Sequence, residues 1–201
     1  MKKIAFSDKY GLGRAVIAGI KTMTRRAIPC KVCQDMLASL AYKDIDVSHD
    51  PMVLRHSQYK VGEVVAIAQR YESVYNHYRL HSESVAEEFK RQTENSFGWK
   101  NKMYVKAELM PYRIKIVDVR IERLREITDI DCMKEGILNK NSGNHRHKKA
   151  HPFYFAGGKH EWDNSFSTPR QAFASLIDKI SGKGTWDSNP WVFAYTFKLV
   201  R

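Results

Sequence analysis

The sequence lacks any apolar run approaching the about 20 residues that a membrane-spanning helix needs. Its start, Met1-Lys2-Lys3-Ile4, opens like a secretory leader, but Asp8 and Arg14 interrupt the apolar stretch such a leader requires. No membrane partner is therefore expected, and a cytoplasmic location is. Cysteine is scarce: three in 201 residues, which fits a reducing compartment better than a disulfide framework. Cys30 and Cys33 form a lone Cys-x-x-Cys. Cys132 with one of His145, His147, His151 or His160 would complete a zinc site only by arithmetic, because the separations match no ribbon or finger. No thioredoxin-like strand precedes the pair, which argues against a redox centre. Neither a metal nor a cofactor is expected. Internal repeats are absent too, and the length fits one domain, 1–201, or one core carrying large insertions.

Acid is the other shortage. There are 22 Asp and Glu against 34 Lys and Arg, a formal net charge of +12. A chain this basic is expected to meet a polyanion, and nucleic acid is the usual one. The excess is uneven. Residues 1–31 hold eight Lys or Arg against the single acid Asp8, and Lys140 to His160 hold five Lys or Arg, four His and no acid. Hydrophobic residues make up 43% and aromatics 11%, enough for a packed core.

The densest chemistry lies in Gly19-Ile20-Lys21-Thr22-Met23-Thr24-Arg25-Arg26. Leu12, Ala15, Val16, Ile17 and Ile20 have the spacing of an amphipathic helix, and Gly19 sits where a left-handed cap would end it. The β-branched Thr22 and Thr24 then favour an extended chain. A helix end followed by a short basic strand aims several donors at one place, suited to phosphate, carboxylate or a polarised carbonyl.

Further along, Val32 to Tyr42 reads as a helix and residues 43–58 as a loop. Glu63 to Gln69 reads as a strand buried on both faces. Ser84 to Glu87 has capping-box spacing and starts a helix to about Gln92. Met103 to Leu109 and Arg113 to Leu124 read as strands. In the second, Ile114 and Ile116 face one way but Val117, Val119 and Ile121 the other, a phase change that predicts a bulge. Thr128 and Asp131 mark the start of a two-turn helix closed by Gly136. Thr168-Pro169-Arg170-Gln171 carries a capping residue, proline in the first turn and Gln at the capping-box position, and the helix it opens ends at Gly182. The last strand alternates Trp191, Phe193, Tyr195, Phe197 and Leu199 toward the core. Curved strands interleaved with short helices predict an α+β fold around a small barrel.

Four motifs follow one another in an order that resembles the ASCH domain family, a branch of the PUA-like superfamily. They are the Gly-x-Lys-Thr-x-Thr-x-Arg segment from Gly19, Val61 to Ala68, the Glu-Gly helix from Ile127 to Ile137, and the strand Asn189 to Leu199. Trp99 to Met103 and Glu108 to Pro111 resemble its phage and mobile-element subgroup. The resemblance implies a PUA-like curved β-barrel flanked by short helices, with insertions at about 30–58, 71–98 and 138–166. The basic loop Lys140–His160 would then be a lid or a mobile arm.

Small bacterial members of that family hydrolyse the amide of N(4)-acetylcytidine with a Lys, a Thr and a Glu. Matched motif by motif, these are Lys21, Thr24 and Glu135. Either Lys21 or Glu135 could act as base toward Thr24, and a plain salt bridge between the two is the structural alternative. The family also implies a second function, a cleft that holds RNA, single-stranded DNA or a modified nucleoside. Arg25, Arg26, Arg113 and Lys115 are then candidate phosphate contacts, and Tyr71 and Trp99 candidate stacking groups. A third reading is a protein-interaction module, for which only the insertions speak.

Overall fold

The computed structural model describes residues 1–29, 31–141, 152–156 and 165–200. In chain order the elements are β1 (Lys3–Ile4), α1 (Leu12–Ile17), β2 (Met23–Ala27), α2 (Lys31–Tyr42), α3 (Pro51–Leu54), β3 (Val64–Ile67), α4 (Tyr71–Arg79) and α5 (Glu83–Thr93). Then come β4 (Arg113–Arg123), α6 (Asp129–Lys134), β5 (Ile137–Asn141), β6 (Pro152–Ala156), β7 (Ser165–Phe166), α7 (Pro169–Ser181), α8 (Thr185–Ser188) and β8 (Trp191–Val200).

The aromatic strand β8 lies inside a five-stranded sheet of order β1-β3-β4-β8-β2. Only β1 and β3 run parallel; the other pairs are antiparallel. Strand β8 is covered on both faces over its first half, where Trp191 to Tyr195 are all buried. Strand β3 is similarly enclosed, with Val65, Ala66 and Ile67 at zero exposure. The predicted bulge in β4 falls between Ile116 and Asp118, where the register against β8 shifts. It turns Val117 outward and lets Ile114, Ile116, Val119 and Ile121 all face the core.

The sheet does not close into the expected barrel. Its edges, β1 and β2, are not paired with each other. Strand β1 holds only two residues, and the chain then turns through Gly11, at φ +64°, into α1, so little backbone is left for β2 to pair with. A side chain bridges the seam instead: Arg26 Nη2 donates to the carbonyl of Ala5 at 2.6 Å. The architecture is mixed α/β with an open sheet.

Several helices start where their capping residues predict. Thr128 accepts from the Asp131 amide and Thr168 from the Gln171 amide. Helix α5 starts one residue before Ser84 without a side-chain cap, so no capping box forms there. The expected loop 43–58 contains α3, capped by Asp50 on the Val53 amide. The expected strand Met103–Leu109 is instead a pair of single 3₁₀ turns, Lys102–Tyr104 and Ala107–Leu109. Lys3 draws this segment in by donating to the carbonyls of Met103 and Val105, both at 2.7 Å, which takes those acceptors out of any ladder. Flanks of the expected basic loop pair as β5 and β6, with β7 completing a three-stranded sheet. The rest of Lys140–His160, with all four of its histidines, lies outside the described residues, as does Cys30.

Two hydrophobic clusters result among the described residues. The larger fills the space between the five-stranded sheet and the helices around it, drawing on Leu12, Leu37, Phe173 and Phe193. The 71–98 insertion builds the smaller one, in which Tyr71, Val74 and Phe89 pack on Ala66 and Ala68. No helix among the described residues is long and apolar enough to cross a membrane.

Gly98 keys the smaller cluster shut. A Cβ there would come within 2.4 Å of Tyr71 Cε2. That ring cannot retreat easily, because it is buried, packs edge-on against Phe89 and accepts the Lys106 amide at 2.8 Å through its hydroxyl. Gly98→Ala is therefore expected to cost about 1–3 kcal/mol, the usual penalty of overpacking. Thermal unfolding compared with wild type measures it, and an unchanged midpoint would show that the ring shifts freely.

Candidate functional site

Helix α1 ends in a Schellman motif. Gly19, at φ +73°, donates to Val16 O and Ile20 donates to Ala15 O, both at 2.9 Å. The next amides fix the chain on either side of the Lys21 side chain. Lys21 N donates to Ala15 O at 3.0 Å, and Thr22 N donates to Lys134 O at 2.8 Å. The second of these bonds joins the start of β2 to the C-terminus of α6. Glu135 caps α6, and Gly136 follows at φ +97°, a conformation glycine adopts without strain. The Glu-Gly pair thus has a local reason: glycine turns the chain away and leaves Glu135 beside Lys21.

Lys21 is buried, with 2% of its surface exposed. Its Nζ donates to Glu135 Oε2 at 2.5 Å and to the Glu135 carbonyl at 2.9 Å. An ammonium has three hydrogens, and the described residues take two. The other oxygen of Glu135 belongs to Arg25, whose Nη1 donates to Oε1 at 3.1 Å. Arg25 also reaches Glu122 through Nε at 2.6 Å and Asp131 through Nη2 at 3.3 Å. Arg25 gets there by crossing β8 at a small residue, since its register partner is Ala194, which pairs in turn with Arg120 of β4.

Burial pushes the Lys21 ammonium below its ordinary pKa, although the Glu135 carboxylate beside it pulls the other way. For Arg25 the opposite side wins: burial lowers its pKa, but Glu135 and Glu122 hold it above the usual value. Burial would raise Asp131, yet the Lys134 hydrogen bond and the charges of Arg25, Lys134 and Arg120 hold it below the usual carboxylate range.

A cleft of 390 Å³ opens along the unpaired seam, within the size range of small-molecule sites of about 300–1,000 Å³. Phe6 and Leu12 form one wall and Phe173 of α7 another, with Lys21, Thr24 and Glu135 between them. Lys21 Nζ lies 5.8 Å from the Phe6 ring centroid. Thr24 is 5% exposed and shares the cleft, but its hydroxyl bonds to neither Lys21 nor Glu135.

The candidate nucleic-acid contacts fare differently. Arg26 is exposed and stands at the mouth, lining the cleft. Arg25, expected to contact phosphate, is buried among three carboxylates, because its neighbour Thr24 takes the opposite face of β2. Arg113 and Lys115 are exposed near the start of β4, away from the cleft, with Lys115 opposite the exposed Lys198. Tyr71, at 2% exposed, presents no ring face to a ligand, and Trp99 packs half-buried beside Tyr75, outside the cleft. Cys33 and Cys132 belong to the hydrophobic core, and burial pushes the Cys132 thiol up to about 12. Among the described residues no group of three His, Cys, Asp or Glu could hold a metal ion.

Glu122 was missing from the residues expected at the site, and Asp131 was expected only as a first-turn acid. The available signal was the period-two polar face Asp118, Arg120, Glu122 on β4, which needs charged partners across the sheet. Neither the family models, nor the curated proteins, nor the solved structures compared with the chain give a match. The resemblance to ASCH domains is a likeness of motifs.

Removing Arg25 tests the network. Arg25→Ala leaves Glu122, Asp131 and Glu135 without their shared guanidinium, and breaking such a buried pair typically costs about 3–5 kcal/mol. Urea denaturation at neutral pH should show that loss. It should shrink on acidification, because protonating the stranded carboxylates relieves their repulsion. A loss below about 1 kcal/mol would mean that the network behaves like solvated surface ion pairs.

Proposed function

We propose that the Lys21 cleft hydrolyses the exocyclic amide of an acylated nucleobase, such as that of N(4)-acetylcytidine. The observation that carries this reading is the buried Lys21–Glu135 contact at 2.5 Å in a nucleoside-sized cleft shared with Thr24. Pairing supports it. The two buried cations, Lys21 and Arg25, are already bonded to Glu122, Asp131 and Glu135, which leaves them less to offer a phosphate.

The roles follow from what each atom is free to do. Glu135 has both oxygens committed to cations, so it holds Lys21 in place and is poorly disposed to take a proton itself. Lys21, shifted down by burial, accepts the Thr24 hydroxyl proton from its amine form as Oγ1 bonds to the acyl carbon. The carbonyl electron pair moves onto oxygen. It returns as the C–N bond breaks, and the base leaves as its free amine with the proton from Lys21. Water then cleaves the acyl ester on Thr24, releasing the carboxylic acid and restoring the hydroxyl.

Binding of RNA or single-stranded DNA is the second reading. It is favoured by the net charge of +12 and by Arg113, Lys115 and Lys198 exposed together on the sheet, outside the cleft.

Chromatography of acylated nucleosides incubated with the protein tests the first reading. Acetate release is expected from wild type without added metal. Thr24→Ala should abolish turnover with ligand binding nearly unchanged, since a reacting atom is lost. Lys21→Arg should be inactive at every pH, because a guanidinium keeps its proton. In wild type, kcat/KM should rise with pH through an ionisation below the ordinary lysine value of 10.5, the direction set by burial of Lys21. Turnover surviving Thr24→Ala would rule out this mechanism, and no turnover across the panel would leave polymer binding as the better reading.

A further inference from the structure

A second cleft, of 730 Å³, lies across the segment Ser7–Gly13 from the first: Ser7 and Leu12 line the Lys21 cleft, while Asp8, Gly11 and Gly13 line this one. Its walls are α1 and one face of α4, where Arg70, Ser73, His77 and Leu80 recur at helical spacing. Two kinds of group converge there without strong partners, beside a pair of rings. Arg14 is exposed and forms no ion pair with any described residue, and Arg70 has only Glu72, at 3.7 Å on open surface. Gln69 carries an amide oxygen that is buried with no hydrogen-bond partner, so turning that amide toward a ligand breaks no bond at that atom. His77 and Tyr112 supply flat faces, with ring centroids 5.4 Å apart. The one acid on the wall, Asp8, is already neutralised by Lys102 at 2.9 Å.

We infer that this cleft binds a nucleotide, with its base against His77 and Tyr112, a polar edge of the base on Gln69, and its phosphate on Arg14 and Arg70. The charge distinguishes the two clefts. The Lys21 cleft balances its cations with buried carboxylates, whereas here two guanidinium groups face one acid that is spent elsewhere. Burial and the neighbouring His81 hold the His77 ring below its ordinary pKa, which keeps it neutral and suited to stacking. The inference does not depend on the chemistry proposed for Lys21, and binding alone tests it.

Isothermal titration with the nucleoside monophosphates and with a short single-stranded oligonucleotide is the experiment. Saturable binding is expected. It should weaken about tenfold or more in Arg14→Ala, and further in Arg14→Glu with Arg70→Glu, as loss of a charge-assisted hydrogen bond requires. Thermal unfolding of each variant checks that the fold is kept. Lys43→Glu, an exposed reversal just past α2 and outside both clefts, should leave binding within about twofold of wild type once charge is screened by salt. Monophosphate binding identifies a free nucleotide as the source, and oligonucleotide binding alone, lost in the double reversal, identifies a strand. Two results would overturn the inference: no saturable binding of either probe, or equal weakening by Lys43→Glu.

Discussion

Two cations are buried side by side, and the rest of the site follows from the need to compensate them. Taking Lys21 and Arg25 out of water costs several kcal/mol each unless acids meet them at hydrogen-bond distance. Three carboxylates do so, and they come from two separate elements: Glu122 from β4, Asp131 and Glu135 from α6 and its cap. Charge compensation is therefore also a tertiary clamp. It holds α6 against β2, and the backbone bond from Thr22 to Lys134 works in the same direction. Because Glu135 is gripped on both oxygens, the position of Lys21 Nζ is set by groups that are themselves held fixed.

The open seam explains why that clamp faces a cleft rather than a closed core. In a sealed barrel the edge of β2 would be hydrogen-bonded and Thr24 shut inside. Here the short β1 leaves the edge uncovered, and Arg26 spans the gap with a single bond to Ala5. The opening thus lies between Phe6, Leu12 and the polar end of Lys21. Its lining mixes Phe6, Leu12 and Phe173 with Lys21, Thr24, Gln58 and Glu135, which suits a flat ligand with polar substituents.

What the sequence revealed and what it concealed divides along a physical line. Caps, glycine turns and the β4 bulge were legible at Thr128, Thr168, Gly19 and Val117, since each depends on neighbours within a few residues. The meeting of Lys21, Thr24 and Glu135 was legible only as a likeness of motifs, because more than a hundred residues separate Lys21 from Glu135. The fate of the other charges was not legible. Arg25 and Arg26 are adjacent and chemically identical, yet one is buried among carboxylates and the other stands exposed at the mouth. Strand alternation explains the difference once β2 is known to have two occupied faces, but composition cannot say which face is which. The place of Tyr71 was hidden for a related reason: an aromatic stretch in an apparent insertion can be exposed surface or packing, and only the fold shows that the insertion has a core of its own.

The distribution of charge also separates two properties that composition merges. A net charge of +12 describes the whole chain, but it does not describe the surroundings of Lys21 and Arg25, where three carboxylates meet the two buried cations. Acids are the scarcer partner in this sequence, and three of them are committed around Lys21 and Arg25. Some cations elsewhere find acids, as Lys102 does in Asp8, and others carbonyl oxygens, as Lys3 does in Met103 and Val105. The buried pair takes three of the 22 acids for its two cations, so the charge left on the rest of the chain is slightly more positive than the total, and it is that surface which attracts polyanions.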